Sequence, residues 1–389
     1  MKHYKIPFLD FYREHNISPV AQDIADLNKH FERRNALYKH CGIVPHFING
    51  KHVLEFGPGT GHNAVFTNAM KPDKYTLVDG NSRSISETSR ILQNYFPGTS
   101  NYEVIESNIE QFKSNRLYDL VICEAVVPGQ INPPEFLKSI SNFVAPGGVL
   151  LITCVDCVSI QSDILRRIAA QMIIGGEKLS LSEKLDKLRP FFSKHLATLK
   201  GMSRSIDDWI IDNTLNPIVG GKFLSIEDAI HALSGEFQVY GVSPHFFTDW
   251  RWYKDIHGKD KSSNDLAIDS YRRNLHNLLD YRYVYEPIDP SRCQTLSDTC
   301  QTVLASVLHI QREGIKTEYI STLLEQLNTL YSLTLTFSNN TAVSLLEITN
   351  ALKYLSSGKS FPTNLDRFSA WFGRGQQYLS FIKNTGSSV

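Results

Sequence analysis

Residues Val53-Leu54-Glu55-Phe56-Gly57-Pro58-Gly59-Thr60-Gly61-His62-Asn63 place three glycines at every second position behind an apolar run. A buried strand that ends in such a turn and re-enters as a helix presents its ligand at the carboxyl edge of a sheet. Glycine is needed there because a Cβ would clash with a ligand pressed against the backbone. The spacing discriminates between ligands. A dinucleotide fingerprint wants G-x-G-x-x-G, whereas this turn reads G-x-G-x-G and His62 stands where that last glycine would fall. Glu55 sits inside the strand end. An acid at that place repels a pyrophosphate and suits an ammonium group.

Three further positions recur at the ends of apolar runs. Asp79 lies twenty residues past Gly59, where a carboxylate can accept hydrogen bonds from both ribose hydroxyls. Asn108 follows the third run, and an amide there can read the amino group of an adenine. Glu124 ends the fourth run. These positions resemble the class I S-adenosylmethionine (SAM) dependent methyltransferase family. Glu55 through Gly61 match its first motif, Asp79 its ribose acid and Asn108 its adenine contact. Glu124 and Pro146-Gly147-Gly148 match its later motifs. The resemblance covers residues 50 to 155. It implies a SAM site lined by Glu55, Gly57, Pro58, Gly59, Gly61, Asn63, Asp79, Gly80, Asn81, Asn108, Ile109, Glu124 and Ala125. It also implies that Glu124 lies beside the sulfonium methyl and is a candidate catalytic group. Arg34 and Tyr38, four apart on a preceding helix, share a face. In the family such residues meet the methionine carboxylate; a surface arginine and a packing tyrosine are the alternative.

The elements that must position these residues alternate. Strands are expected at 51–56, 75–79, 102–106, 118–124 and 149–155, with helices at 62–70, 82–95 and 134–144 and a turn at Pro146-Gly147-Gly148. That order predicts an α/β, Rossmann-like doubly wound, mostly parallel sheet. A helix over 17–41, capped by Ser18, precedes it. Helical segments over 157–232 break at Gly175-Gly176, Pro217 and Gly220-Gly221. Strands at 236–242 and 248–254 would form an antiparallel final hairpin. After Gly258, helices are expected near 264–280, 294–312, 317–334, 341–356 and 364–383. The domains read as an N-terminal helical lid (1–50), a SAM-binding core (51–156), a helical insertion that can lid the substrate (157–235), the final strands (236–258) and a C-terminal helical module (259–389).

Three places outside the core can hold an acceptor. Ser243 to Tyr253 carries a His, an Asp, an Arg and five aromatics. His245 can serve as a base, Asp249 can orient it, and Trp250 can help exclude water; aromatics packed in an ordinary hairpin are the plain alternative. Asp208 and Asp212, one turn apart next to Trp209, can form a polar wall or an exposed acidic face, with Ser205 as a helix cap. Arg374, between Gly373 and Gly375, can approach an anionic ligand, or the glycines can mark a kink. His62 can face the methyl group or cap its helix.

The 389 residues exceed one ordinary core. Lys plus Arg and Asp plus Glu are both 40, which argues against a nucleic-acid groove. The six cysteines are too sparse for a disulfide framework, and Cys154-x-x-Cys157 reads as small buried residues at a strand end, with no metal expected. No secretory leader or membrane span is apparent, so a cytoplasmic protein is expected. The expected reaction is SN2 methyl transfer to a small-molecule or glycan-like acceptor, at oxygen. Methylation of a protein or carboxylate is the rival reaction. A SAM-binding scaffold acting through its C-terminal helices, as a homodimer or with a protein partner, is the rival from outside enzymology.

Overall fold

A computed structural model describes residues 7–218, 223–257, 261–356 and 361–386. The breaks expected at Gly220-Gly221 and Gly258 lie outside the described residues. The first half of the chain runs α1 (Pro7–His15), α2 (Leu27–His40), β1 (His52–Phe56), α3 (His62–Ala69), β2 (Lys74–Asp79), α4 (Ser82–Tyr95), β3 (Tyr102–Glu106), β4 (Tyr118–Cys123), α5 (Pro133–Ser141) and β5 (Val144–Val155). Then come α6 (Gln161–Ile174), α7 (Leu181–Leu196), α8 (Ile206–Ile210), α9 (Ile226–Leu233), β6 (Phe237–Ser243) and α10 (Ser263–Asn274). The last elements are α11 (Pro290–Glu313), α12 (Thr317–Leu335), α13 (Asn339–Ser356), α14 (Asp366–Ser369) and β7 (Gln376–Lys383).

Two compact units result. A sheet unit takes the chain up to Val155, from Phe223 to Tyr271, and from Gln376 on. A helical unit takes the two intervening stretches. The helices after residue 272 are therefore inserted ahead of the last strand and do not form a C-terminal appendage.

The sheet has the order β3-β2-β1-β4-β5-β7-β6. β1 to β5 are parallel, and β7 runs antiparallel to both its neighbours. This is the α/β, Rossmann-like, mostly parallel sheet expected. Phe56 pairs in register with Val78 of β2 and Cys123 of β4. The residues that follow each strand end therefore emerge side by side: the glycine turn, Asp79 and Glu124. On one face Val53, Leu77, Leu120 and Ile122 pack against Tyr38 of α2 and Phe66 of α3, burying apolar area that offsets the cost of ordering these elements.

Four expected elements differ. The partner of β6 is β7 and not residues 248–254, which form no strand; Trp250 is 92% exposed and Trp252 is exposed beside it. The helix expected over 364–383 is a single turn followed by β7. Gln377 and Ser380 make β7 look unlike a central strand by composition, yet both are fully buried. What makes it a strand is the pair of open edges that β5 and β6 offer. Pro146-Gly147-Gly148 is not a turn but part of β5, where the register with β4 shifts. Finally, α2 begins at Leu27, capped by Asp26, whose carboxylate accepts from the Lys29 amide at 3.0 Å. Ser18 does not cap it and instead meets the Ser84 hydroxyl at 2.9 Å. Pro19 biases its predecessor away from helix, and the first helix is the separate α1.

In the helical unit, α11, α12 and α13 pack in succession and α6 lies on α11. Leu304, Leu323, Leu327, Leu330 and Leu345 are fully buried there. A capping box closes the start of α7, with Ser180 and Glu183 satisfying each other's backbone amides. Among the described residues, no helix is long and apolar enough to cross a membrane.

Candidate functional site

Gly57, Gly59 and Gly61 all take positive φ, at 71°, 58° and 78°. A Cβ on Gly57 would come 2.3 Å from a Val126 methyl, and one on Gly61 would come 2.8 Å from the Thr88 backbone. The turn thus requires glycine for conformation and for space together. It leads into α3, where the His62 ring meets the Thr60 hydroxyl at 2.7 Å. Burial lowers the His62 pKa, and neighbouring His30 adds to the effect.

Charge gathers around this turn. Glu55 is buried and receives the Tyr75 hydroxyl. Burial, reinforced by nearby Glu124, raises its pKa to about 7. Asp79 accepts from the Asn81 amide at 2.8 Å and from the Gly59 amide at 3.3 Å. Burial raises its pKa to about 6 although these amides oppose the shift. Glu124, at the end of β4, is gripped by Arg34 in a two-pronged pair, 2.9 Å from Nη1 and 2.5 Å from Nη2. Asn63 also donates to Glu124 at 3.3 Å. Three acids therefore share one buried neighbourhood with the Arg34 guanidinium, and Arg13 acts on Asp79; a bound cation would favour the ionised forms of Glu55 and Asp79, whose pKa values burial raises.

Arg34 belongs to an unusual helix face. The buried residues of α2 are His30, Arg34 and Tyr38, spaced i, i+4, i+8, where an ordinary surface helix would bury an apolar stripe. The Arg34 guanidinium lies 5.2 Å from the Tyr38 ring centre. Its Nε and the His30 Nε2 are buried without a hydrogen-bond partner. The alternative of a surface arginine does not hold, while Tyr38 does pack in the core.

The other end of the crevice is covered by α1. Arg13 donates from Nε to the Gly80 carbonyl at 3.1 Å and from Nη2 to Asn108 Oδ1 at 3.0 Å. Leu9 packs where a Gly80 Cβ would point. Asn81 caps α4 through the Arg83 amide and donates to the Ile17 carbonyl at 2.9 Å. Ile109 opens the short turn after Asn108, and the Ala125 amide, at φ 61°, donates to Thr153 Oγ1 at 2.7 Å. Sequence reasoning missed Arg13, His30, Tyr75 and Thr153. Only His30 left a signal, as a polar residue at helical spacing with Arg34 and Tyr38.

The acceptor candidates are not brought together. Asp249 does not orient His245; it pairs with Arg251 at 2.7 Å. His245 is exposed, its ring tilted over His40 at 5.8 Å. Trp250 projects outward and walls off nothing in the sheet unit. In the helical unit Trp209 is buried against Phe192 and Phe372, Ser205 caps α8, and Asp212 pairs with Arg204 at 2.9 Å. Arg374 donates to the carbonyls of Asn277 at 2.8 Å and Tyr283 at 2.9 Å. The glycine before it has a packing reason, since a Cβ on Gly373 would fall 1.8 Å from the Ser159 carbonyl oxygen. Cys154 and Cys157 form no disulfide, and among the described residues no group of three or more metal-type ligands occurs.

Comparison with known proteins bears on the first half of the chain. Residues 17–189 match a family model described as a methyltransferase domain. A ubiquinone biosynthesis O-methyltransferase of Rickettsia canadensis (strain McKiel) is 34% identical over 135 residues, 34% of this chain and 55% of the relative. The chain thus spans about half the length of that relative. A protein of the same description from Rickettsia typhi (strain ATCC VR-144 / Wilmington) is 23% identical over 200 residues, 48% of this chain and 79% of the relative. Among solved structures, the N-methyltransferase NodS of Bradyrhizobium japonicum WM9 with S-adenosyl-L-homocysteine is 16% identical, with a TM-score of 0.30 over 37% of this chain and 73% of that one.

Proposed function

We propose, from the class I SAM-dependent methyltransferase domain that this chain carries, that the protein transfers a methyl group from SAM to a small-molecule acceptor at oxygen. The carrying observation is the gathering around the glycine turn of three acids, Glu55, Asp79 and Glu124, against the two guanidinium groups of Arg34 and Arg13. The residues fit the cofactor. A sulfonium and an ammonium are both cations and offset that charge. Asp79 ends β2, where a carboxylate can accept ribose hydroxyls, and the buried, unsatisfied Nε leaves Arg34 with a donor to spare. When bound, SAM supplies an already activated methyl group. What remains for the protein is to orient the acceptor and exclude water. The oxygen acceptor is supported by the names of the two Rickettsia relatives, both O-methyltransferases. Membership of the acceptor in the glycan-like class rests on no contact in the sheet unit, and we keep only the small-molecule reading.

Isothermal titration with SAM and S-adenosylhomocysteine tests the cofactor. We expect saturable binding by the wild type and a loss of about 10- to 100-fold in Asp79→Ala, the cost of removing a charged hydrogen-bond acceptor. Affinity unchanged by Asp79→Ala overturns this site. Incubation of extracts with methyl-labelled SAM tests the acceptor: label that precipitates with protein favours protein methylation, whereas label left in the small-molecule fraction supports the proposal.

A further inference from the structure

The Arg34–Glu124 pair has a geometry that neither a core staple nor a surface ion pair requires. Both side chains are more than nine-tenths buried. Arg34 presents its two Nη atoms, at 2.9 and 2.5 Å, to the two oxygens of one carboxylate. A planar fork of this kind recognises any carboxylate in the same position. Its Nε stays without a partner, so the guanidinium is not fully satisfied by Glu124. Glu124 is not fully committed either. It also receives the amide of Asn63, which stands in the first turn of α3, directly behind the glycine turn. The other buried residues of α2 are His30 and Tyr38.

We infer that Glu124 is a resident stand-in, which Arg34 exchanges for the carboxylate of an amino-acid-bearing nucleoside when that ligand binds. This rests on the SAM-site reading above and deepens it. The pair keeps Arg34 neutralised and aimed while no ligand carboxylate is present, because a buried guanidinium without a counter-charge is costly. When a ligand carboxylate takes the fork, Glu124 is released at the end of β4. There it is free to accept a hydrogen bond from an incoming hydroxyl. Glu124 is thus an acceptor-contacting group whose availability depends on loading, and the acceptor is expected to bind after the cofactor.

The test compares two ligands by titration calorimetry. S-adenosylhomocysteine carries the amino-acid carboxylate, and 5′-deoxy-5′-methylthioadenosine has the same nucleoside thioether without it. Removing the competitor with Glu124→Gln should tighten S-adenosylhomocysteine by about tenfold and leave methylthioadenosine unchanged. A merely structural role would shift both ligands alike, and that result overturns the inference. Weaker S-adenosylhomocysteine binding in Glu124→Gln also overturns it, since Glu124 would then be a ligand-binding group, for instance for the ammonium. Should the wild type bind neither ligand, the SAM-site reading falls and this inference with it. Binding of both ligands with no difference in the variant sinks this inference alone. A wild-type crystal structure with S-adenosylhomocysteine is a second test that does not depend on a variant folding. We expect Arg34 on the ligand carboxylate and its bonds to Glu124 broken; an intact two-pronged pair in that complex refutes the exchange.

Discussion

Among the described residues the sheet unit buries Arg34 and the helical unit Arg166 and Arg167, and Arg34 and Arg166 are used in opposite ways. In the helical unit Arg166 is fully buried and donates to three backbone carbonyls, those of Phe368, Ser369 and Trp371, at 3.2, 3.2 and 2.7 Å. Its Nε donates to His195 Nδ1 at 3.2 Å, and its guanidinium lies 3.7 Å from the Phe372 ring centre. Burial, with Arg166 as the next cause, lowers the His195 pKa to about 2, so His195 is a neutral acceptor. In the sheet unit Arg34 meets one flexible carboxylate and keeps an unsatisfied donor. The difference teaches how to separate a staple from a recognition group. A staple spends most of its donors on carbonyls of fixed backbone, which nothing displaces, as Arg166 does beside its longer 3.4 Å contact with Asp163. A recognition group faces an anion that a better-placed anion can replace.

The largest test of that contrast is Arg166→Leu. It orphans three carbonyls in an interior and should cost about 3–5 kcal/mol of stability, read by urea unfolding. A loss below about 1 kcal/mol would show that Arg166 is no staple. The counterpart is the double variant Arg34→Met/Glu124→Leu. Replacing both members of a buried pair by apolar groups is often neutral, so stability should hold within about 1 kcal/mol. Affinity for S-adenosylhomocysteine should nevertheless fall by about tenfold or more, as expected for losing a charge-assisted contact. If stability collapses while binding survives, the roles assigned to the two arginines are reversed.

A smaller effect sharpens the electrostatics of the sheet unit. Glu55 titrates near 7 when folded, against an ordinary 4.5. Between those values the folded state holds more protons than the unfolded one. Its contribution to stability is therefore full below about pH 4.5 and is lost as pH rises through about 7, on the order of 3 kcal/mol. Glu55→Gln should flatten that slope in denaturation series from pH 4.5 to 7.5, and an unaltered slope would place the titration elsewhere. The same logic makes SAM binding at pH 6 release a proton, visible as a dependence of binding heat on buffer ionisation. The smallest change is expected for Asp249→Ala. Its partner is the half-buried Arg251 only two residues away on the same loop, so stability should move by no more than about 0.5 kcal/mol.

Legibility in the sequence followed the range of the interaction. Strands β1 to β4 and helices α3 and α4 were readable within a residue or so, because apolar periodicity, glycine conformation and caps such as Asn81 are local. Asp79 was placed by its distance from Gly59, which the register of β1 against β2 then realises. The acceptor region was not readable. Asp249 was assigned to His245 by proximity along the chain, and Arg251 was nearer and of opposite charge. Trp250 alternated like a strand residue but found no open edge to pair with.

By itself, then, the sequence determined the glycine turn, the acids at successive strand ends and the alternation that stacks them along one sheet edge. Those features depend on backbone conformation and periodicity over a few residues. Tertiary structure decided which partners those residues take. Arg34 meets Glu124 across 90 positions and Arg13 meets Asn108 across 95. β7 became a strand because β5 and β6 left a gap that its backbone amides and carbonyls could fill. A side chain's type states what it can bind, but only the folded chain brings a particular carboxylate or carbonyl within 3 Å of it.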